Sequence, residues 1–162
     1  MCEISIRTMT VQDYPLFDVM ESALHRMHQQ ARPDLFAELA HPCSRAEFSQ
    51  MIQDSHRELF LAEWKGKPAG MCDLLLCESS NPILLPQQSA HVDDILVLGE
   101  FRRKGVGTAL YEEALCRAKR FGAEHLELMV WAFNESARKF YEKCGMTLRS
   151  FVMDMKLEGE TT

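Results

Sequence analysis

The chain has 162 residues, 46% of them hydrophobic, and a formal net charge of −6, which is the size and composition of one globular domain over residues 1–162. The negative charge argues against nucleic-acid binding, and no apolar run reaches the ~20 residues of a membrane span. Six cysteines lack metal-ligand spacing, and the first residues lack a signal-peptide pattern. These features predict a cytoplasmic protein with free thiols and no metal.

The first third of the chain predicts one strand and two helices. Ile4 and Ile6 alternate with polar residues, which is typical of a half-exposed strand. Capping boxes that begin at Thr10 and Ser44 each precede apolar residues at helical spacing, and therefore each predicts the start of a helix. The first helix is expected to end where Arg32-Pro33-Asp34 interrupts the spacing.

The rest of the chain alternates predicted strands and helices. Strands are predicted over residues 59–64, 69–77, 90–97, 126–131 and 151–157, the last of which would close the sheet. A loop with Asn81-Pro82 and Pro86 precedes the third of these strands. Helices are predicted from about Thr108 to Phe121-Gly122 and from Asn134 to Cys144. This order predicts an α+β (α/β) domain.

The segment after strand 90–97 is the most informative part of the chain. It reads Arg102-Arg103-Lys104-Gly105-Val106-Gly107-Thr108. Two glycines let backbone N–H groups approach a common point, and the helix start adds unpaired donors and a partial positive charge. The segment therefore predicts a phosphate or pyrophosphate site. Leu110 replaces the third glycine of a dinucleotide fingerprint, and a P-loop motif is absent.

This segment resembles the Arg/Gln-x-x-Gly-x-Gly/Ala pattern with which the GNAT superfamily of N-acetyltransferases binds acetyl-coenzyme A. Arg102, Gly105 and Gly107 fit that pattern. The stretch of residues 131–146 resembles the second half of the GNAT core. The positions that match it are Asn134, Ala137, Tyr141 and Gly145. The resemblance covers residue 58 to the end well, and the first third matches only in layout.

The resemblance implies the GNAT fold, a mixed and mostly antiparallel sheet of six or seven strands with about four helices. Two splayed central strands, those of Leu96-Val97 and Met129-Val130, would hold the pantetheine arm of acetyl-coenzyme A. The implied cofactor-binding residues are Leu96, Val97, Arg102, Arg103, Lys104, Gly105, Val106, Gly107, Thr108, Asn134 and Ala137.

Several of these residues have a simpler alternative. Arg103 and Lys104 would reach phosphate oxygens or else stay as solvated charges. Asn134 would cap its helix and, in addition, could bond the pantetheine amide. A backbone N–H near Leu96 or Val97 would face the thioester oxygen and stabilise the oxyanion that forms there.

Three residues are catalytic candidates. By resemblance Tyr141 is the general acid that protonates the leaving thiolate, and its alternative role is that of a core tyrosine. Asp93 is the favoured general base, with His91 next. Alternation along the strand puts His91 and Asp93 on one face and Asp94 on the other. The adjacent acids would otherwise only bind a cationic substrate.

The resemblance thus implies an enzyme that transfers an acetyl group from acetyl-coenzyme A directly to a primary amine in a ternary complex. A polyamine, an aminoglycoside-like drug, an amino acid and a protein or peptide amine all remain open as acceptors. The competing hypothesis is a non-catalytic acyl-coenzyme A sensor or interaction module. Family analogy suggests a homodimer, and no nucleic-acid or membrane partner is expected.

Overall fold

The structure is a computed structural model that describes residues 3–78, 83, 85 and 87–157. These residues form two compact units, a larger one that ends at Met129 and a smaller one that begins at Val130. The loop predicted at Asn81-Pro82 and Pro86 falls outside the described residues. In the described part of the chain, no helix combines the length and the apolar character that a membrane crossing requires.

The larger unit contains a mixed sheet. Its strands, within the described residues, are β1 (Ile4–Thr8), β2 (Arg57–Trp64), β3 (Lys67–Glu78), β4 (Gln88–Val97) and β5 (His125–Leu128). They lie side by side in chain order. The first four are antiparallel to their neighbours, and β5 runs parallel to β4. The predicted mixed, mostly antiparallel sheet is confirmed, with five strands described rather than six or seven.

Helices begin and end at the expected signals. The larger unit holds α1 (Tyr14–Ala31), α2 (Arg45–Gln53) and α3 (Val106–Phe121), and the smaller unit holds α4 (Glu135–Lys143). The capping box of α2 is complete, because the Ser44 hydroxyl accepts from the Glu47 N–H and the Glu47 carboxylate accepts from the Ser44 N–H. Gly122 ends α3 at a φ of 91°, a conformation that favours glycine.

The core has one layer on each face of the sheet. On one face, α3 buries Leu110 and Ala114 against residues such as Phe60 and Leu74. On the other face, α1 and α2 bury Phe17 and Phe48 against a second set that includes Leu61 and Leu96. Neighbours such as Phe60 and Leu61 belong to opposite layers because side chains alternate along a strand. The sheet is therefore covered on both faces, and β4 lies well inside it.

Two strand predictions differ from the structure. Residues 151–157 form no strand, and all seven are exposed. Alternating apolar residues form a strand only where a neighbouring strand exchanges backbone hydrogen bonds with them, and the sequence does not encode that neighbour. The strand predicted over 126–131 ends at Leu128. The third helix begins at Val106, slightly earlier than predicted, since Gly105 serves as its N-cap at a φ of 86°.

Candidate active site

The parallel strands β4 and β5 pair only over their first part. Their ladder runs from Ser89 opposite His125 to Val92 opposite Leu128. Strand β4 continues to Val97, so its last residues pair only with β3 within the described part of the chain. The ladder therefore stops where β5 ends, and the splay of two central strands stays a prediction. The assignment of Met129-Val130 to the second strand is wrong, because β5 ends one residue earlier.

The backbone N–H of Val97 points to the side of β4 that is opposite to β3. The N–H of Leu98 donates to the carbonyl of Ala69 on β3 at 2.9 Å. Successive N–H groups of a strand point to opposite sides, so the N–H of Val97 points away from β3 and toward the side of β5. Of the two residues considered for a backbone donor, Leu96 and Val97, the ladder geometry selects Val97.

A tight turn leads from β4 into the glycine segment. The Arg102 N–H donates to the Gly99 carbonyl, and the Arg102 Nε donates to the Val97 carbonyl at 3.2 Å. The first bond of α3 runs from the Ala109 N–H to the Gly105 carbonyl. Helix geometry therefore leaves three N–H groups, those of Val106, Gly107 and Thr108, without an acceptor inside the helix. They lie together at the positive end of a 16-residue helix.

The two basic side chains beside these donors, Arg103 and Lys104, differ in their contacts. The Lys104 Nζ lies 4.4 Å from the ring centroid of Trp64 and 5.4 Å from that of Phe101. Lys104 is therefore held by cation–π contacts, which neither of the two sequence alternatives foresaw. Arg103 is exposed and adopts a positive φ of 60°. The predicted anion site thus consists chiefly of backbone donors.

A β-bulge in β4 brings two acids to the same face of the sheet. Asp73 lies opposite Asp94 and Leu74 lies opposite Val92, which leaves Asp93 as an extra residue. An extra residue reverses the alternation of side chains beyond it. Carboxylate oxygens of Asp73, Asp93 and Asp94 consequently lie within 4.8 Å of one another. The prediction that Asp94 occupies the face opposite Asp93 is wrong.

Arg57 of β2 pairs with two of these acids. Its Nη2 lies 2.8 Å from Oδ2 of Asp93, and its Nε lies 3.1 Å from Oδ1 of Asp73. The second contact is an ion pair without hydrogen-bond geometry, since neither atom has a hydrogen-bond partner in the described residues. Asp94 has no such ion pair with Arg57 among the described contacts. His91 lies outside this group, opposite Leu75 on β3 and Glu127 on β5.

Burial shifts the pKa of three carboxyl groups in this region. Loss of solvation raises the pKa of Asp73 to about 7 and that of Asp94 to about 6, while the Arg57 charge opposes both shifts. Burial, followed by the negative charge of Asp94, raises the pKa of Glu21 on α1 to about 8. Near pH 7, Glu21 is therefore mostly protonated, whereas Asp94 is mostly ionised and able to accept a proton.

The smaller unit carries the remaining candidates. The Asn134 side chain accepts from the Ala137 N–H at 3.2 Å, which confirms its role as the N-cap of α4. Tyr141 is buried, and its ring lies 5.2 Å from that of Phe140 in an edge-on arrangement. Gly145 follows α4 at a φ of 90°. Burial of Tyr141 agrees with a core role, and its role as general acid stays a prediction.

Comparison with known sequences decides the family. The sequence model of the acetyltransferase (GNAT) family matches residues 23–146. The chain belongs to the GNAT family. One relative of this GNAT protein is the L-ornithine N5-acetyltransferase NATA1 of Arabidopsis thaliana, 27% identical over 130 residues that make up 80% of this chain and 55% of that protein. The chain spans about half the length of the curated relatives it matches.

Solved structures show the same fold. A tetramutant of the BH1408 protein from Bacillus halodurans superposes with a TM-score of 0.89 at 24% identity, covering 94% of this chain and 99% of the other. The aminoglycoside N-acetyltransferase AAC(6')-Iy in complex with CoA gives a TM-score of 0.72 at 16% identity, covering 96% and 100% of the two chains. At these identities the likeness concerns the fold of the GNAT domain.

Three residues of the candidate site were missed by sequence reasoning, namely Glu21, Arg57 and Asp73. Asp73 did carry a signal, because it is an acid inside an otherwise apolar strand, and a buried charge usually has a partner or a function. Arg57 and Glu21 carried none, since each is an ordinary polar residue in its own segment. Only the packing of α1, β2 and β3 around β4 brings them together.

Proposed function

We propose that this GNAT protein transfers an acetyl group from acetyl-coenzyme A directly to a primary amine. The observation that carries the proposal is the course of β4. This strand leaves its ladder with β5 after Val92, continues to Val97, and leads directly into the backbone donors of residues 106–108. The part of β4 that has no partner in β5 thus leads directly to the proposed anion site, and the family match agrees with acyl transfer.

In this proposal the glycine segment binds the pyrophosphate of acetyl-coenzyme A. The free N–H groups of Val106, Gly107 and Thr108 donate to phosphate oxygens, as helix N-termini do in other phosphate sites. The complex of AAC(6')-Iy with CoA supports coenzyme A as the ligand of this fold. Arg102 keeps the turn in place through its bond to the Val97 carbonyl. Arg103 and Lys104 add positive charge nearby.

The proposed reaction uses residues of β4, and the family resemblance adds residues of α4 to them. The neutral amine nitrogen attacks the thioester carbon and forms a new C–N bond, and the negative charge moves to the carbonyl oxygen. The Val97 N–H stabilises that oxyanion. Cleavage of the C–S bond then releases the coenzyme A thiolate, to which Tyr141 gives a proton. The proton that the attacking nitrogen loses as it becomes an amide restores the neutral phenol of Tyr141. Asn134 and Ala137 at the start of α4 would contact the cofactor.

We assign the general base to Asp94 rather than to Asp93 or His91. A base works best with a pKa near the working pH, and burial raises the pKa of Asp94 to about 6. Asp93 is exposed and paired with Arg57. The proton removed from the ammonium group of the acceptor passes to the Asp94 carboxylate. Asp93 would then help to attract the cationic acceptor.

The acceptor in this proposal is a small cationic amine. Three acids near the end of β4 with one arginine leave a net negative site, which favours a substrate with positive charge. The relative NATA1 is an L-ornithine N5-acetyltransferase, which supports a diamino acid or a related polyamine as the acceptor. Because Arg57 already holds two of the three acids, we propose that the site works without a metal.

Calorimetric titration with acetyl-coenzyme A tests the cofactor site. The wild-type chain should bind in the micromolar range, and Gly107→Glu should lose binding because a carboxylate would meet the phosphates. Gly99→Ala is the matched control, since a Cβ at Gly99 meets nothing within 4 Å. Absence of binding to the folded wild-type chain would contradict the proposal.

Release of coenzyme A thiol with an amine panel then separates enzyme from sensor. The panel contains ornithine, spermidine, an aminoglycoside and a lysine peptide, each with and without EDTA. Thiol release with ornithine or spermidine that persists in EDTA is the expected result. Binding of acetyl-coenzyme A without release for any amine would favour the alternative, a non-catalytic acyl-coenzyme A sensor or interaction module.

The proposed location is the cytoplasm. The five cysteines of the described residues are free thiols, and only Cys72 among them is fully buried. Unpaired cysteines are typical of proteins that stay in a reducing compartment. Fractionation of cells that express the chain would test this location.

A further inference from the structure

A cavity of about 530 Å³ lies beside the C-terminal half of α3, on the face of the sheet that this helix covers. The described residues that line it all belong to the larger unit. Glu58 lines this cavity, whereas its neighbour Arg57 points to the opposite face of the sheet, where it contacts the acids of β3 and β4. Arg117, another lining residue, lies about 16 Å along the helix axis beyond Val106. The cavity is therefore separate from both the acidic group and the glycine segment.

The guanidinium of Arg117 is held firmly in the wall of the cavity, and the residue is only 7% exposed. Its Nε donates to Oε1 of Glu113 at 2.7 Å. Its Nη1 donates to Oε2 of Glu58 at 2.7 Å and to the Thr8 hydroxyl at 3.3 Å. Its Cζ lies 4.4 Å from the ring centroid of Phe60. These contacts fix the guanidinium in place before any ligand binds, which lowers the entropic cost of binding.

Two donors of the Arg117 guanidinium stay unused. A guanidinium has five N–H donors, one on Nε and two on each terminal nitrogen. The hydrogen bonds to Glu113, Glu58 and Thr8 use Nε and Nη1, while Nη2 has no hydrogen bond within the described part of the chain. Nη2 is also not among the buried side-chain atoms that lack a partner. It is therefore open to the cavity, where an otherwise buried side chain presents two fixed donors.

Charges of both signs surround these donors. Arg120 brings a second guanidinium to the cavity, and its Nη2 lies 3.8 Å from Oε1 of Glu113. Among the described residues, Oε1 of Glu58 and Oε2 of Glu113 accept no hydrogen bond, because only the other oxygen of each carboxylate binds Arg117. The wall thus carries two positive and two negative groups. A ligand with a net charge would lie beside two groups of its own sign, whereas a zwitterion would not.

We propose that this cavity binds a small zwitterion of the α-amino-acid class. The carboxylate of the ligand accepts charge-assisted hydrogen bonds from Nη2 of Arg117 and from the guanidinium of Arg120. The ammonium group of the ligand donates to the unused carboxylate oxygens of Glu58 and Glu113. This site is independent of the proposed acetyl transfer, because the cavity and the acidic group lie on opposite faces of the sheet.

The other walls of the cavity indicate which amino acids fit. Leu76 and Phe121 line it and belong to the core layer under α3, so they supply apolar surface. The volume of about 530 Å³ lies within the range of about 300–1,000 Å³ that is usual for small-molecule sites. An aliphatic side chain would bury apolar surface against these two residues. The preferred ligand is therefore an aliphatic amino acid such as leucine.

Nuclear magnetic resonance of the full chain, labelled with nitrogen-15, tests this site with three matched ligands. L-Leucine carries both charges, 4-methylpentanoate lacks the ammonium group, and 3-methylbutylamine lacks the carboxylate. Leucine should shift the amide signals of residues 113–121 in a saturable way, with a Kd below about 1 mM. The other two ligands should bind at least tenfold more weakly, and the signals of residues 105–108 should stay unchanged. Shifts confined to residues around Asp94 would place leucine in the acceptor site and overturn the proposal.

Three variants assign the binding to the arginines. Arg120→Gln removes one partner of the carboxylate and should weaken leucine binding about tenfold. Lys119→Gln is the matched control, because it removes the same charge from the adjacent exposed position of α3 and should bind leucine as the wild type does. Arg117→Lys keeps the charge but lacks the second terminal nitrogen, so it should also weaken binding at least tenfold, and its thermal unfolding would show that it is folded. The proposal is overturned if the folded wild-type chain shows no saturable shift, if 4-methylpentanoate binds as tightly as leucine, or if Arg120→Gln and Lys119→Gln have equal effects.

Discussion

At the scale of single residues, the proposed chemistry depends on four acids and one arginine with unequal surroundings. Asp93 is exposed and faces Arg57, while Asp73 and Asp94 are more deeply placed and their pKa values are raised by burial. Glu21 is mostly neutral at pH 7 because its pKa is raised to about 8. Similar side chains therefore have different protonation states at one pH, which allows one of them to act as a base.

Asp94→Asn removes the proposed base while it keeps the size of the side chain. We expect kcat to fall at least tenfold, toward the 10²–10⁴-fold range that is typical for loss of a general base. The affinity for acetyl-coenzyme A in calorimetry should be unchanged. Asp93→Asn is the matched variant and should mainly raise KM for the amine. A larger loss of kcat in Asp93→Asn than in Asp94→Asn would reverse the assignment.

Arg57→Gln should move the pH profile of the reaction. The guanidinium charge lowers the pKa of both Asp73 and Asp94, so its removal raises these pKa values. If Asp94 is the base, the acidic limb of kcat/KM should lie near pH 6 in the wild type and shift upward by about one pH unit in this variant. Fixed-time assays of thiol release from pH 5 to 9 would measure this shift. An unchanged limb would mean that neither acid controls the rate.

At the scale of elements, the contact between β3 and β4 depends on a glycine. A Cβ on Gly70 would lie 2.4 Å from the carbonyl oxygen of Leu96, which is backbone and cannot rotate away. The strands must therefore move apart if any side chain is placed there. This position lies directly beside Leu96 and Val97, where the part of β4 that has no partner in β5 begins its turn into the glycine segment.

Gly70→Ala should consequently destabilise the protein and disturb the cofactor site. We expect a loss of about 1–3 kcal/mol in the free energy of unfolding, as is usual for overpacking. Urea denaturation followed by circular dichroism would measure it. Gly99→Ala, where the added methyl group meets nothing within 4 Å, should change this free energy by less than about 1 kcal/mol. Equal effects of the two substitutions would contradict the argument.

At the scale of the whole molecule, stability should depend on pH in an unusual direction. Burial raises the pKa of Glu21 to about 8 and that of Asp73 to about 7, above their ordinary values of 4.5 and 3.8. At a pH between the ordinary and the raised pKa of each group, that group is protonated in the folded chain and ionised in the unfolded chain. The folded chain therefore binds more protons, and its free energy of unfolding falls as the pH rises. Asp13 does not offset this trend. Arg7 lowers the pKa of Asp13 to about 2, so the contribution of Asp13 to the free energy of unfolding changes only below about pH 4.

Thermal unfolding from pH 5 to pH 8.5 checks this dependence. Tm of the wild-type chain should decrease across the range, and most of the decrease should fall between pH 6 and pH 8.5. Glu21→Gln keeps the shape of the side chain without a titrating proton, so its Tm should vary less with pH. A wild-type Tm that increases steadily toward pH 8.5 would show that Glu21 and Asp73 are not protonated in the folded state.

The local elements of this protein follow from its sequence alone. The capping box at Ser44, the N-cap at Asn134 and the glycine at position 122 each set a helix end through bonds to residues only a few positions away. The geometry of the glycine segment is likewise local, because the free backbone N–H groups of residues 106–108 result from the start of the helix itself. The spacing of residues along the chain is sufficient to predict an element wherever its hydrogen-bond partners are only a few positions apart.

Only the tertiary structure decided the composition of the acidic site and the fate of the last predicted strand. The bulge at Asp93 depends on the register between β3 and β4, and it brought Asp94 onto the face that Asp73 and Arg57 share. Glu21 joins that region through the packing of α1. Residues 151–157 have the alternation of a strand, but a strand needs a neighbour. Partners that are distant in the chain are not encoded in local spacing.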